Sequence, residues 1–453
     1  MLQETAFHRG VGAVAGPAAF PGLALRRTCV GAMLLVAALT SPAFARQVLP
    51  LPQAEPASQG VSAERLQRLD RYMAEATDAD GYLGGVVLVA RNGRIVDHRA
   101  YGHQDLARRI PMQRDAIFRM YSMTKPVASV AVLALLEEGK LALDDPLSRF
   151  LPEFAQIQVA AGGNVDTPRL RKAASPITLR HLLTHTAGFA AGLEGDALAA
   201  AMLERADPHD ALDLRDYAAR AARLPLAADP GTRFGYEGAN TELLARVVEV
   251  ASGQRFAEFL QQRIFAPLRM GDTGFEVPPA QRHRVVDITT MGDDGRLRIA
   301  DGPSARTPGA RLNAYDSGAG GLYSTAADYA RFCQMLLDGG TLDGTTILGR
   351  KTVELMLGNH LAGILDPPVN QYSAAEGFGL GGYVVLDPVR RGQPGSVGQF
   401  GWSGAASTNF MIDQKERLLA ILLLQHLPRA ERNDDLPRIG RSYQALVYQT
   451  LLP

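Results

Sequence analysis

The sequence predicts an α+β fold in which helices cover an antiparallel sheet and a mostly helical lobe is inserted between the two halves of that sheet. Strand-like runs at residues 86–90 and 94–98 flank Asn92-Gly93, a strong signal for a two-residue β-hairpin. The apolar run at residues 127–136 is long enough for a buried helix. After about residue 300, glycine-rich turns and strands return. Hairpin-linked strands predict an antiparallel sheet, which helices from both ends of the chain are expected to cover.

Length and composition are those of a globular protein. With 453 residues the chain can bury a large core and form two lobes. Hydrophobic residues make up 46% of the chain and charged residues 21%, as in ordinary soluble domains. Lysine plus arginine and aspartate plus glutamate both number 47, so no basic excess indicates nucleic acid as a partner.

Residues 1–45 have the pattern of a secretory signal peptide. Arg26-Arg27 precede a short apolar run at residues 30–39, and Ala43-Phe44-Ala45 forms an A-x-A cleavage signal. The alternative is a retained membrane anchor, but a bilayer span needs about 20 apolar residues and this run is too short. We therefore expect cleavage after Ala45, no stable membrane insertion afterwards, and a periplasmic or secreted protein.

Cysteine usage agrees with an exported protein that has no internal disulfide. The two cysteines are Cys29, in the predicted signal peptide, and Cys333, in a helical pattern. Cys333 is expected to be a buried apolar residue. No cysteine pair remains for redox chemistry or for zinc binding.

The first half of the mature chain carries a lead-in, a helix and the beginning of the sheet. Residues 46–61 are rich in proline, alanine and glutamine and are expected to be flexible. Ser62 then opens a helix with one apolar face. We assign residues 62–145 together with 300–453 to the sheet lobe, and residues 146–299 to the mostly helical lobe.

The second half of the chain supplies the remaining strands. Residues 378–386 are expected to form one strand and residues 398–413 two more. The continuous apolar run at residues 418–424 predicts a central strand. Helices are expected at residues 327–337 and 440–452.

Ser122 and Lys125 stand three residues apart, directly before the apolar run that predicts a buried helix. Positions i and i+3 are neighbours on a helix surface, so the lysine amine can reach the serine hydroxyl. A serine hydroxyl becomes a good nucleophile when a nearby base takes its proton. A lysine can be that base where burial or positive charge lowers its pKa from about 10.4. The alternative for the pair is an N-capping serine followed by a solvated lysine.

His181 and His185 lie four residues apart and could ligate a metal from one helix face. The pair lacks the intervening glutamate of a zincin and an obvious third ligand. We therefore interpret them as packed histidines that fix a loop near the cleft. No metal and no cofactor are expected.

Several stretches match one family at matching intervals. They are the pair Ser122 and Lys125, ITLRHLLTHTAGF at residues 177–189, PGTRFGY at 230–236, FAPLRM at 265–270, GAGGLYSTAADYARF at 318–332 and FGWSGAASTNFMID at 400–413. The chain resembles the serine β-lactamase and penicillin-binding-protein superfamily, specifically the class C-like branch that also holds the family VIII carboxylesterases. This resemblance implies a β-lactamase/transpeptidase-like fold with a five-stranded antiparallel sheet, flanking helices and an active site beside the inserted helical lobe.

The resemblance also implies roles for individual residues. Ser122 matches the acylated nucleophile and Lys125 its base partner. Tyr236 matches the tyrosine that shuttles a proton to and from the leaving group, and the alternative for it is a buried ring whose hydroxyl bonds to a backbone carbonyl. The backbone N–H groups of Ser122 and Ala405 are implied as the oxyanion hole, in which each donor contributes about 3–4 kcal/mol.

Two departures from the family pattern concern substrate binding. The asparagine expected two residues after the tyrosine is replaced by Gly238, next to Glu237, and Asn240 is a candidate substitute. The third motif is Trp402-Ser403-Gly404, whose glycine is expected to allow close approach of substrate to an edge strand. Trp402 replaces the cation that recognises the carboxylate of β-lactams, and its apolar face favours neutral acyl or alcohol groups. A tryptophan in this motif is typical of the family VIII esterases.

These residues predict an exported serine hydrolase that cleaves carboxylic esters and takes a small-molecule ester or acyl compound as its substrate. Lys125 and Tyr236 are expected to act as general base and acid for an acyl-enzyme on Ser122. One alternative keeps this chemistry and acts on β-lactams or D,D-peptides. Two further alternatives are a non-catalytic relative that binds peptidoglycan or a partner, and an enzyme that transfers the acyl group to an acceptor other than water.

Overall fold

The computed structural model describes residues 50–453 except 79–80, 108–109, 191–196 and 430–434. The predicted signal peptide at residues 1–45 lies outside the described residues. Residues Arg46–Pro453 belong to one compact unit, so the division into two lobes stays a prediction. Within the described ranges, no helix is both long enough and apolar enough to cross a bilayer.

An antiparallel sheet forms the centre of the fold. Its strands in chain order are β1 (Gly84–Arg91), β2 (Arg94–Gly102), β3 (Glu376–Phe378), β4 (Tyr383–Val385), β5 (Phe400–Ser403), β6 (Asn409–Asp413) and β7 (Leu418–Leu424). Their spatial order is β3-β4-β5-β6-β7-β1-β2. The α+β class and the antiparallel pairing are confirmed, but the sheet has seven strands rather than five. Where the sequence predicts one strand over residues 378–386, Gly381 (φ of 100°) lies in the turn of a short hairpin.

Helices and short ladders surround the sheet. The helices are α1 (Ala63–Ala76), α2 (Thr124–Glu137), α3 (Leu179–Leu183), α4 (Ala197–Ala206), α5 (Leu214–Ala221), α6 (Gly238–Ser252), α7 (Phe256–Leu260), α8 (Ala326–Leu337), α9 (Arg350–Leu357) and α10 (Gly440–Tyr448), with single turns at Pro303–Arg306 and Pro388–Arg391. The ladders pair Phe118–Arg119 with Tyr323–Ser324, Gln158–Gly163 with Pro168–Lys172, Thr289–Met291 with Leu297–Ile299, and Thr341–Leu342 with Thr345–Thr346.

Strands β1 and β7 are apolar along almost their whole length because both faces of the sheet are covered. Successive side chains of a strand point to opposite faces. Val86 and Leu88 of β1 belong to a large core with α2 and α8, whereas Val87 and Val89 belong to a second core with α1 and α10. The sheet is therefore the middle layer, and α2, which follows Ser122, lies in the larger core.

Local signals in the sequence place several elements correctly. Asn92 and Gly93 have φ values of 53° and 76° and form the two-residue turn between β1 and β2. The Ser62 hydroxyl accepts a hydrogen bond of 3.1 Å from the Arg65 N–H and caps α1. Cys333 is buried in α8, as expected.

The prediction that residues 46–61 are flexible is wrong for the part that the structure describes. Leu51 is buried in the larger core. The Ala54 N–H donates a hydrogen bond of 3.0 Å to the Ile95 carbonyl of β2, and Pro56–Gln59 form a 3-10 turn. Strand β2 is at the edge of the sheet, where unpaired backbone groups are available to bind a further segment.

Candidate active site

Ser122 lies in a single 3-10 turn, Tyr121–Met123, that leads directly into α2. Tyr121 has a φ of 46°, in the left-handed region that costs a non-glycine residue about 1–3 kcal/mol. Hydrogen bonds hold the turn, since the Met120 N–H donates to the Leu322 carbonyl at 2.8 Å and the Met123 N–H to the Met120 carbonyl at 3.1 Å. Ser122 is therefore carried by a tightly fixed segment at the start of a buried helix.

Lys125 is buried in the first turn of α2, with 3% of its surface exposed. Its Nζ lies 3.1 Å from Ser122 Oγ and donates a hydrogen bond of 2.8 Å to the Ala319 carbonyl. The alternative of a capping serine with a solvated lysine is wrong, because no side chain caps α2 and the amine is buried. The amine is in position to exchange a proton with the serine hydroxyl.

Tyr236 and Trp402 lie against this pair. The Trp402 indole N–H donates a hydrogen bond of 3.0 Å to Tyr236 Oη, so this hydroxyl does not point to a backbone carbonyl. Lys125 Nζ lies 4.9 Å from the centroid of the Tyr236 ring. The His185 ring packs on Tyr236 with the centroids 4.6 Å apart. Five side chains that the sequence singles out, from four separate segments, thus meet at one place.

A cavity of about 720 Å³ opens beside Ser122. Its lining near the serine is Tyr236, Tyr372, Trp402, Ser403, Gly404 and Ala405. Tyr372 and Trp402 have ring centroids 6.3 Å apart, and the Trp402 ring also meets Phe378 edge-on at 5.1 Å. The wall beside the serine is therefore aromatic, and such a wall favours neutral groups with apolar faces.

The turn after β5 brings Ala405 to the cavity. The Gly404 N–H donates a hydrogen bond of 2.8 Å to the Thr408 carbonyl, which closes the turn. A Cβ added to Gly404 would lie 2.2 Å from Thr408 Oγ1 and 2.4 Å from the Met120 carbonyl oxygen. Only glycine therefore lets this turn lie directly against the segment that carries Ser122.

Strand β5 is open to the cavity in its second half only. It pairs with β4 at Phe400 and Gly401, so Trp402 and Ser403 lie beyond the end of that neighbour. The predicted edge strand is thus an interior strand whose last two residues are unpaired on one side. A substrate can approach the backbone of β5 there.

Glu237 and Asn240 are not among the residues that line the cavity, contrary to the expectation that they bind substrate. The Glu237 carboxylate accepts a hydrogen bond of 3.4 Å from the Ala239 N–H at the start of α6. Asn240 is fully buried, and its Nδ2 lies 3.1 Å from both the Glu237 carbonyl and His185 Nδ1. The Asn240 amide nitrogen therefore lies against His185 and the Glu237 carbonyl and not in the cavity beside Ser122.

His181 and His185 serve local packing. The His181 ring accepts a hydrogen bond of 3.3 Å from the Thr178 N–H, and His185 Nδ1 accepts one of 3.2 Å from the Glu237 N–H. Burial lowers the pKa of His185 well below its usual range, and the charge of Lys125 adds to this effect. Across the described ranges, no three histidine, cysteine, aspartate or glutamate side chains converge as a metal site.

The sequence reasoning missed Glu242, which is the buried carboxylate near Lys125. Burial raises the pKa of Glu242 to about 7, against the opposing effects of the Ser317 hydrogen bond and of the Lys125 charge. Its sequence signal is weak but present. A single glutamate precedes Leu243-Leu244 on the apolar side of α6, where a charged residue is not expected without a partner.

Comparison with known proteins identifies the family. The model of the Beta-lactamase family matches residues 69–444. The chain belongs to the Beta-lactamase family. This membership confirms the predicted superfamily and the β-lactamase/transpeptidase-like fold, and places the protein among enzymes of the serine-hydrolase and acyltransferase type.

The names of several similar proteins state an activity. Esterase EstB of Burkholderia gladioli is 32% identical over 381 residues, which are 80% of this chain and 91% of EstB. A monacolin J acid methylbutanoyltransferase of Aspergillus terreus is 29% identical over 397 residues, 80% of this chain and 91% of the transferase. The solved structure of an Aspergillus terreus simvastatin synthase, the LovD6 mutant, superposes with a TM-score of 0.73 at 25% identity and covers 85% of this chain and 95% of the synthase.

Proposed function

We propose that the protein hydrolyses neutral carboxylic esters through an acyl-enzyme on Ser122. The observation that carries the proposal is the 3.0 Å hydrogen bond from the Trp402 indole N–H to Tyr236 Oη. An apolar, neutral side chain occupies the place where carboxylate-binding relatives have a cation. Trp402 also orients Tyr236, so one residue both lines the substrate cavity and positions the proposed proton-transfer group.

In the proposed acylation step, Lys125 takes the proton of Ser122 Oγ as that oxygen attacks the ester carbonyl. The distance of 3.1 Å between the two groups suits such a transfer. The N–H groups of Ser122 and Ala405 are proposed to stabilise the oxyanion. Tyr236 then gives its proton to the departing alkoxide. In deacylation, the Tyr236 oxygen takes a proton from the water that attacks the acyl carbonyl, and Lys125 returns its proton to Ser122 Oγ as the acid is released.

The same acyl-enzyme could also serve β-lactam or D,D-peptide hydrolysis, or acyl transfer to an alcohol. Hydrolysis of β-lactams or D,D-peptides requires recognition of a carboxylate, and Trp402 offers no charge for it. Acyl transfer to an alcohol differs from hydrolysis only in the second nucleophile. The similarity to a methylbutanoyltransferase supports acyl transfer as the second candidate function. A non-catalytic binding role is disfavoured because Ser122, Lys125 and Tyr236 are present and in contact.

The test compares two substrates on residues 46–453 with Ser122→Ala as the control. One assay follows kcat/KM for a short-chain p-nitrophenyl ester and the other for a chromogenic cephalosporin. We expect fast ester turnover that disappears in the Ser122→Ala variant, together with cephalosporin turnover that is slower by orders of magnitude. The reverse ranking would move the assignment to β-lactam chemistry, and no turnover of either would favour the binding role.

We further propose that the enzyme is exported and acts in the periplasm or outside the cell, with no stable membrane insertion after residues 1–45 are removed. The support is the signal-peptide pattern that ends at Ala45. The N-terminal sequence of the protein recovered from cell fractions checks this proposal. A mature N-terminus at Arg46 in the periplasm or the medium is expected, and uncleaved protein confined to the cytoplasm would contradict it.

A further inference from the structure

Glu242 is a buried carboxylate in α6, with 1% of its surface exposed. One of its oxygens accepts a hydrogen bond of 2.5 Å from Ser317 Oγ, and the other accepts one of 2.8 Å from the Gly318 N–H. Burying an acid is costly unless its partners compensate. The mechanism proposed above does not use this carboxylate, so its position beside the catalytic lysine calls for an explanation.

The turn at residues 317–321 connects Glu242 to Lys125. Ser317 Oγ accepts a hydrogen bond of 3.2 Å from the Gly320 N–H, and the Ser317 carbonyl accepts one of 3.0 Å from the Gly321 N–H. The turn lies directly against α6, because a Cβ on Gly318 would be 2.6 Å from the Thr241 carbonyl oxygen. The turn also carries the Ala319 carbonyl, which accepts the 2.8 Å hydrogen bond from Lys125 Nζ.

The charge of Glu242 acts on few other groups. In the part of the chain that the structure describes, the titratable groups that face it are Lys125 from α2, Tyr217 from α5 and Tyr315 from the segment before the turn. Both tyrosines are neutral at ordinary pH, since burial raises their pKa above the usual value. Lys125 is therefore the neighbour through which this carboxylate can act on Ser122.

We propose that Glu242 is a positioning residue of this site and acts on Ser122 through Lys125. Its carboxylate holds the 317–321 turn, whose Ala319 carbonyl keeps the lysine amine within reach of the serine. Its negative charge also compensates the ammonium group that forms when Lys125 takes the serine proton. The inference rests on the proposed function, in which Lys125 is the base.

Two variants separate the effect of the Glu242 charge from that of its hydrogen bonds, and a third is a control. Glu242→Gln removes the charge but keeps an amide of the same size that can still meet the turn. Ser317→Ala keeps the charge and removes one hydrogen bond. Glu249→Gln is the matched control in the same helix, because Glu249 pairs with Arg246 at 2.9 Å and does not line the cavity.

The measurement is the second-order rate at which a fluorophosphonate labels the protein between about pH 5 and about pH 9. This reagent reports activation of the serine without requiring the natural ester. For Glu242→Gln we expect a plateau about tenfold lower, because the newly formed ammonium loses its counter-charge. In the wild type, ionisation of Glu242, whose pKa burial raises to about 7, should give the profile an acid limb, and Glu242→Gln should lose that limb.

Ser317→Ala should keep this limb and move it to higher pH, because the Ser317 hydrogen bond lowers the pKa of Glu242 in the wild type. The Glu249→Gln profile should match the wild type. An acid limb near pH 7 that persists unchanged in Glu242→Gln, or that stays at its wild-type position in Ser317→Ala, would overturn the inference. If a thermal melt shows that Glu242→Gln is not folded, Glu242→Asp, which keeps the carboxylate, replaces it. An acid limb of Glu242→Asp far from that of the wild type then contradicts the proposed role of the charge.

One further control separates this inference from the proposed function. Labelling of Ser122→Ala at the wild-type rate would show that the reactive serine is another residue, and the proposed function would fail. Labelling that depends on Ser122 but is unchanged in rate and pH profile by Glu242→Gln would leave the function intact and remove only the role of Glu242.

Discussion

Two carboxylates of this protein, Glu242 and Asp328, are both buried and differ in the charged groups beside them. Burial raises the pKa of each to about 7. Asp328 Oδ2 accepts hydrogen bonds of 2.8 Å from the Asp272 N–H and 2.9 Å from Thr273 Oγ1, whereas its Oδ1 has no hydrogen-bond partner among the described residues. A raised pKa is therefore a consequence of burial and is not by itself a sign of catalysis.

The difference lies in the neighbouring charges. Asp328 interacts with the Asp272 carboxylate, which raises its pKa further, and with Arg284, which itself pairs with Asp272 at 2.7 Å. Glu242 interacts with Lys125, whose amine contacts the candidate nucleophile. Comparing the two regions indicates that a buried acid contributes to activity here only where its partner is part of the proton-transfer group.

The largest expected effect comes from Lys125→Ala, which removes the feature that distinguishes the two regions. We expect kcat/KM for an ester to fall at least about a thousandfold while the fold is retained, because the serine loses its base. In this background Glu242→Gln should have no further effect on activity, since the partner through which it acts is gone. Ester kinetics and circular dichroism check both statements, and near-normal turnover by the folded variant would contradict the mechanism.

Trp402→Lys places a cation in the wall beside Ser122 and so increases the contrast between the two regions. We expect the ratio of cephalosporin to ester kcat/KM to rise about tenfold or more, because a cation can pair with the carboxylate of a β-lactam. Trp402→Phe is the control: it keeps an apolar ring, removes the hydrogen bond to Tyr236 Oη, and should not raise this ratio. Unchanged relative rates in the lysine variant would mean that Trp402 does not set selectivity.

Gly404→Ala disturbs the catalytic region through the backbone alone. The added Cβ must push the turn away from Met120, so we expect kcat to fall about ten- to a hundredfold and stability to decrease by about 1–3 kcal/mol. Gly363→Ala is the matched control, because a Cβ at Gly363 meets no atom within 4 Å. Kinetics and thermal unfolding of the pair test the close approach, and equal behaviour of the two variants would argue against it.

The smallest effect on activity is expected for Asp328→Asn. Its ester kcat/KM should stay within about twofold of the wild type, since Asp328 does not face the catalytic group. Asp328 should also make the stability of the wild type depend on pH. The pKa of Asp328 is raised from 3.8 to about 7, so the folded state binds more protons between these values and its stability falls as pH rises through about 7.

The variant should show a shallower decline than the wild type when the free energy of unfolding is measured by urea denaturation from about pH 5 to about pH 8. Glu242→Gln should flatten the same curve, because burial raises its pKa in the same direction. The two variants should differ in activity and agree in this pH dependence. A large loss of turnover in Asp328→Asn would remove the distinction between the two regions.

Local patterns predicted the parts of the fold that short-range physics decides. The Asn92-Gly93 turn, the apolar strand at residues 418–424 and the Ser122–Lys125 pair each depend on residues close in sequence. Their spacing determines their geometry, so the sequence is sufficient for them. The resemblance to a known family added Tyr236 and Trp402, which no local pattern joins to the serine.

The remaining features depend on contacts between distant parts of the chain. Glu242 meets Ser317 across 75 residues, and no local signal links the two. Asn240 was a reasonable substitute by spacing, but the helix directs its amide to His185 instead. Residues 52–54 join the edge of the sheet because β2 offers unpaired backbone groups, a property of the finished sheet.

The central claim is that ester cleavage passes through an acyl group on Ser122, and quenched-reaction mass spectrometry tests it most directly. The protein is mixed with p-nitrophenyl trimethylacetate, whose bulky acyl group slows the attack of water, and the reaction is stopped with acid. We predict one added trimethylacetyl group on the peptide that contains Ser122, and none in the Ser122→Ala variant. Release of p-nitrophenol without an adduct, or with an adduct on another residue, would contradict the account.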